Sequence, residues 1–394
     1  MLFLKNTMLY IRELLMVVNK KQISNFIGFC LFFQLFLPSI KLIWSSSILN
    51  VISISALFAC VFLGEMKLTA IKKYLLSLWS IFSFILVAMF FWKDAVIGSD
   101  VYKLIYMLFV VVMVIIIMDD NNLLPFSYFV FLWSLFISSW QLILGIYANY
   151  SLGQTYLTIA LPVGVGLTMS LLNIVISNIS FTKRLVLLGC AFIQLSALGT
   201  LLSRAAIAFP FIILLIIYTL WFCFSTSVSF LYKVIISFFS ILSLVFVTFN
   251  IEHILNDRQL HRIQRLESLT DEPRYEVYSR ALKLISESPV MGYGAGSTEK
   301  VFNGTYPHNI FLDVLFNGGL LLLIPLVIIL TKYFKLLISS LKWDKMYWEH
   351  LSILSISFFL FLQWNISFGL DTIYIPMSSI MMCCIFISDK GNCK

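Results

Sequence analysis

Apolar runs at about 24–41, 43–63, 74–92, 101–118, 124–147, 153–179, 185–202, 205–224, 231–250, 309–331, 350–367 and 371–388 succeed one another along the chain, separated by short polar breaks. Each is close to the roughly 20 residues that an α-helix needs to cross the hydrocarbon core of a bilayer. A membrane barrel would instead need short strands of alternating polarity, and the runs do not alternate. The pattern therefore predicts an all-α polytopic membrane bundle of about twelve crossings, in which each helix satisfies its own backbone hydrogen bonds. One long polar stretch, residues 251–308, interrupts the rhythm between the ninth and tenth runs. The chain then reads as a single integral membrane domain over 1–394, with a large loop at 251–308 where polar chemistry can gather.

Composition agrees: 60% of the residues are hydrophobic and only 12% are charged, far from a soluble domain. The net charge of +8 looks at first like a footprint for nucleic acid, but topology explains it. Lys5, Arg12, Lys20, Lys21, Lys67, Lys72, Lys73, Lys183, Arg184, Lys233, Lys332, Lys335, Lys342, Lys345, Lys390 and Lys394 fall on the side of the termini. Only Lys41, Lys93, Lys103 and Arg204 lie in the short segments opposite. By the positive-inside rule both termini are expected in the cytoplasm and the long loop outside it. In that loop Glu252, Asp257, Glu267, Asp271, Glu272, Glu276, Glu287 and Glu299 more than balance the basic residues. No nucleic-acid partner is implied. The basic stretch before residue 24 reads as a cytoplasmic amphipathic lead-in rather than a signal peptide.

Cys30, Cys60, Cys190, Cys223, Cys383, Cys384 and Cys393 fall in membrane runs or the tail, so no disulfide framework is suggested. No Cys/His metal spacing or P-loop is present, and no cofactor is expected.

The arginines are placed differently from the lysines. Arg258, Arg262, Arg265, Arg274 and Arg280 lie in the long loop, and Arg204 lies at the outer end of a membrane run. Arginine binds phosphate through a planar fork and keeps its charge when partly buried. The loop arginines can equally pair with the loop's acids on solvated helix faces. Arg204 has apolar sequence on both sides and no acid nearby in the chain. It either reaches the outer headgroups with its long side chain or marks function, as intramembrane charges usually do.

Within the loop, Glu272 to Ile285 reads as a helix with Pro273 in its first turn, laying Tyr278, Leu282 and Ile285 on the bundle or the membrane interface. Gly292-Tyr293-Gly294-Ala295-Gly296 follows. It is either a tight turn or a set of backbone amides cradling a phosphate. His308 stands at the mouth of the tenth helix beside Asn309, with Asp313 one turn further on. Asn303-Gly304-Thr305 is read as a flexible turn rather than a glycosylation acceptor, and Asp371 as either a sugar-binding group or a partner for a loop arginine.

Taken together, Ser203-Arg204, Arg274-x-x-x-Tyr278 leading through Pro289 to Gly292-x-Gly294, His308-Asn309 and Asn317-Gly318-Gly319-Leu320 resemble the signature of the O-antigen polymerase and O-antigen ligase family. The motifs occupy about 200–320, and Tyr278 stands where Trp is common in the family. The resemblance implies a bacterial inner-membrane glycosyltransferase whose donor and acceptor glycans are carried on undecaprenyl pyrophosphate among the membrane lipids. Arg204 and Arg274 would bind the pyrophosphate, and His308 would act at the acceptor hydroxyl. Arg280, Asn309, Tyr278, Gly292 and Gly294 would contribute to substrate binding. Tyr306-Pro307-His308-Asn309 and the compact loop favour a polymerase, for which a chain-length regulator is a candidate partner, over a ligase that transfers the glycan to the lipid A core.

Twelve crossings with both termini inside also describe many transporters, which place broken helices near the midplane. Pro162 and Gly164-Val165-Gly166 are the best sign of one, and are read here as a kink or as close packing.

Overall fold

The computed structural model describes residues 20–44, 46–64, 67–92, 100–145, 157–201, 203–224, 231, 234–235, 237–238, 241–242, 273–302, 307–342 and 346–391. Every regular element among them is a helix. In chain order these are α1 Lys20–Leu35, α2 Leu37–Ile40, α3 Ile48–Leu63, α4 Ala70–Ala88, α5 Asp100–Ile117, α6 Asp120–Leu144, α7 Leu157–Ile176, α8 Phe181–Gly199 and α9 Arg204–Phe224. They continue with α10 Pro273–Glu287, α11 Ser297–Val301, α12 Ile310–Ser340, α13 Trp348–Ser367 and α14 Tyr374–Gly391. Seven of the described helices are long and apolar enough to cross a bilayer, so the chain is an all-α polytopic membrane protein. Every predicted run except 231–250 coincides with a helix over most of its length; that run is described only at its few helical positions between 231 and 242. The lead-in before residue 20 and the arginines Arg258, Arg262 and Arg265 lie outside the described residues.

Two boundaries differ from the sequence reading. The first run is not one helix: α1 stops at Leu35 and the short α2 restarts with Pro38 in its first turn, because proline has no N–H to continue the ladder. The tenth run does not end near 331, since α12 continues to Ser340. Lys332 and Lys335 therefore belong to its last turns, where long side chains can reach the headgroups from within the helix.

The core is built around α7, which packs against α6, α8, α9 and α13 and is buried without a break from Ile159 to Ser170. Gly164 lies against the Phe359 ring and Gly166 against the Ser134 side chain, so neither site has room for a Cβ. Small residues that let backbones approach are how membrane helices gain van der Waals contact. Across this seam Gln194 Nε2 donates to Ser134 Oγ (3.1 Å) and Ser170 Oγ donates to Gln194 Oε1 (2.9 Å). The helix runs unbroken through Pro162, so the glycine motif serves close packing.

Contacts at the helix ends sort them onto two faces. On one, Lys390 Nζ lies 3.9 Å from Asp120 Oδ2, Lys72 Nζ donates to the Ile116 carbonyl (3.2 Å), and Trp348 Nε1 donates to Ser127 Oγ (3.2 Å). Lys342 there lies over the Phe224 ring, 5.6 Å from its centre. On the other, Gln141 Nε2 donates to Thr200 Oγ1 (3.1 Å), Asn309 Nδ2 to the Asn365 carbonyl (3.3 Å), and the Ala295 amide to the Met89 carbonyl (3.1 Å). Each contact joins ends that the lysine pattern assigns to one side.

Candidate active site

The polar face is organised by a break in α12. Gly319 sits inside the helix at φ 58° and ψ −156°, a conformation open to glycine and costly for other residues. The break divides α12 into a short first half, from Ile310 to Gly318, and a second half from Leu320 to Ser340. The second half alone rises about 31 Å at 1.5 Å per residue, enough to span the hydrocarbon core. Large exposed apolar side chains on α12 begin at Leu320 and recur at Leu321, Ile324, Val327, Ile328 and Ile338. The first half instead lies under the loop.

A straight helix would pair the Leu320 and Leu321 amides with the Phe316 and Asn317 carbonyls. Here those four groups pair with the loop. Leu320 N–H donates to the Pro289 carbonyl (2.9 Å) and Leu321 N–H to the Val290 carbonyl (3.3 Å); Phe316 accepts from Tyr293 N–H (2.8 Å) and Asn317 from Gly294 N–H (2.9 Å). Buried backbone groups freed by a helix break must find partners inside the protein, and the segment after α10 supplies them for these four. The same bonds fix the conformation of Gly292-Tyr293-Gly294. Gly292 and Gly294 have φ 64° and 99°, and their amides donate to the carbonyls of Ser288 (3.0 Å) and Asn317 (2.9 Å). They form a turn inserted into a helix break, and these amides do not face outward as a phosphate cradle.

Below the turn lies a buried polar network. Asp313 Oδ2 accepts from the Leu370 amide (2.6 Å), and its Oδ1 accepts from Thr298 Oγ1 (3.1 Å) and Asn317 Nδ2 (2.8 Å). Asn317 Nδ2 also lies 2.9 Å from Thr298 Oγ1, and Asn317 Oδ1 accepts from Gly296 N–H (3.1 Å). Asp313 and Asn317 are one turn apart in a stretch, Ile310 to Leu330, that is otherwise apolar, and both are buried. Each unpaired polar group there would cost about 1–3 kcal/mol, so the network pins α11, α12 and the Leu370–Thr372 turn to one another. Sequence reading had marked Asp313 only for its spacing from Asn309 and had missed Thr298; the available signal was the i, i+4 pair of polar residues in an apolar helix.

Asn309 begins α12. Its Oδ1 accepts from the Phe311 (3.0 Å) and Leu312 (3.1 Å) amides, while its Nδ2 reaches α13. The carboxamide is thus engaged in capping. His308, immediately before it, is half-buried with φ 50°, a region that histidine visits more often than most residues.

Helix α10 lies on the first half of α12. Ala281, Phe302 and Phe316 form a small buried cluster, with Val277, Leu284, Ile285, Tyr293 and Val301 packed around it. Leu282, expected on the bundle or the membrane interface, is 56% exposed and does not join this cluster. The buried arc is 277, 281, 284 and 285, the i, i+4, i+7, i+8 stripe. Tyr278 is half-buried at its edge, and Arg280 is exposed with its guanidinium 5.5 Å from the Phe302 ring centre. That distance is within cation–π range. Tyr293 stacks on Phe316 at 5.0 Å between ring centres.

Arg204 is the first residue of α9 and Arg274 the second of α10; the side chains of both lie outside the described residues. Their backbones still fix the end of the bundle concerned. The C-terminal ends of α9 and α12 meet through Phe224 and Lys342, so the two helices run in the same direction. Arg204 is therefore at the His308 end.

Residues 185–327 match the model of a family described as O-antigen ligase. No curated protein matches the chain.

Proposed function

We propose that the chain, whose residues 185–327 match a family model described as O-antigen ligase, is a transferase of the O-antigen polymerase and ligase type and, more finely, a polysaccharide polymerase. It joins undecaprenyl-pyrophosphate-linked oligosaccharide repeat units at the extracytoplasmic face of the bacterial inner membrane. The observation that carries the reading is the assembly at one face of the bundle: α10, bearing Arg274 and Arg280, rests on the half of α12 that His308 and Asn309 introduce, and α9 begins with Arg204 at the same end.

The chemistry fits these residues. Pyrophosphate leaves readily once cations neutralise its developing charge, and Arg204 and Arg274 supply two. A sugar hydroxyl is a weak nucleophile, so His308 takes its proton as the oxygen attacks the anomeric carbon. The carbon–oxygen bond to the pyrophosphate breaks as the glycosidic bond forms, and the single displacement inverts the anomeric carbon. The strained αL backbone at His308, held between buried Pro307 and the capped start of α12, supports a fixed imidazole direction. The ligase reading is the alternative, favoured by the description of the matching family.

The test is expression in cells lacking their own polymerase, with the surface glycan resolved on a gel. A ladder of repeat lengths from the parent, absent with Arg204→Ala, Arg274→Ala and His308→Ala, supports the polymerase. Attachment of preformed polymer in cells lacking their ligase supports the alternative. Silence in both backgrounds removes the transferase reading and leaves a transporter or flippase.

A further inference from the structure

We propose that Asn317 is a positioning residue of the transfer reaction, setting the register between the arginine-bearing helix α10 and the His308 end of α12. The inference rests on the transferase reading above. It arises from the way one residue grips three alternate residues of the incoming loop. The Asn317 carbonyl accepts from Gly294 N–H (2.9 Å), its Oδ1 accepts from Gly296 N–H (3.1 Å), and its Nδ2 lies 2.9 Å from Thr298 Oγ1. The same Nδ2 is anchored on its own helix by the Asp313 carbonyl and Oδ1, both at 2.8 Å. A buried carboxamide orients only when both of its ends are satisfied; here the bonds to Asp313 hold it on its own helix, and those to Gly296 and Thr298 fix loop against helix.

What this grip aligns follows from the chain. The segment 288–296 leaves α10 directly, and α10 packs on Phe316, the neighbour of Asn317. Two turns back along α12 is the cap at Asn309, preceded by His308. A slip of 294–298 past Asn317 therefore changes the separation between the cations of α10 and the imidazole. In the transferase reading the first holds the donor and the second the acceptor. Asn317 itself is buried and touches neither, so its effect is through them. A misplacement of about 1 Å between reacting groups costs on the order of a hundredfold in rate.

The test uses the purified full-length protein with an undecaprenyl-pyrophosphate-linked repeat unit, and measures how donor turnover divides between glycan transfer and release to water. This ratio belongs to each active molecule, so a smaller folded fraction does not move it. Asn317→Ala is expected to raise the share lost to water at least about tenfold, since water needs no alignment with His308 while the acceptor does. Thr298→Val, which removes one partner and leaves the helix intact, is expected to move the ratio the same way by less. A parent that transfers glycan, with both variants dividing the donor as the parent does, overturns the inference and leaves the transferase reading standing. A parent that turns over no donor overturns that reading and this one with it.

Discussion

Gly292 and Gly319 lie backbone against backbone. A Cβ on Gly292 would stand 2.6 Å from the Phe316 carbonyl oxygen and 2.8 Å from the Gly319 nitrogen, and one on Gly319 would run into the Val290 carbonyl. Both residues have positive φ, 64° and 58°. Each glycine is thus required twice, once for its own dihedral and once for the close approach of the other's backbone segment.

Gly319→Ala is expected to lower stability by about 2–3 kcal/mol, through strain and the clash with Val290. Gly292→Ala should cost a similar amount. Because the first change already separates the two backbones, the double variant should lose less than the sum. Thermal unfolding in detergent reads all three, and strict additivity would argue against the shared contact.

The seam between α6, α7 and α8 predicts opposite signs for two glycines. Gly166→Val drives a side chain into Ser134 and should destabilise by about 1–3 kcal/mol. Gly189, in the middle of α8, has nothing within 4 Å of a Cβ, so Gly189→Ala should stabilise by up to about 1 kcal/mol through helix propensity. Equal melting points for the two variants would contradict the packing described.

Asp313→Ala leaves the Leu370 amide without its carboxylate and should lower stability by about 2–3 kcal/mol. The loss should loosen the Leu370–Thr372 turn and α11 before the rest of the bundle. Hydrogen exchange would show this as faster exchange at 296–298 and 369–373 with α7 unchanged. Uniform acceleration over the whole chain would sink the idea of a local staple.

The two faces predict a labelling pattern. In a background without native cysteines, Glu276→Cys and Tyr293→Cys should react in intact cells with a membrane-impermeant thiol reagent, Tyr293 more slowly because it is half-buried. Lys342→Cys and Lys390→Cys should react only after the cells are opened. Labelling of Lys342→Cys from outside would reverse the orientation expected from the lysines.

The fold was legible because the apolar runs are long, so helix existence follows from length alone; the lysines at their ends carry the expectation of which side each end lies on. Boundaries were harder. Lys332 and Lys335 looked like loop residues, whereas a helix in a bilayer can carry lysines through its last turns. On α10, three apolar positions fitted a helical face, but only Phe316, far away in the chain, decides that 277, 281, 284 and 285 are the buried ones. The helix break was written in the sequence as two separate glycine motifs. Nothing local to either says that the backbone of one completes the ladder of the other, because the pairing is made in space. At the candidate site, Asn309 and the Gly292 turn were found by position, while their use in capping and joining depends on partners on other helices.

The joint between loop and helix also orders the making of the protein. Pro289, Val290, Tyr293 and Gly294 are synthesised before Phe316 to Leu321, so their partners in α12 do not yet exist when they are made. The joint therefore closes only in a chain whose α12 is already made, and until then α10 lacks the Phe316 surface on which it rests.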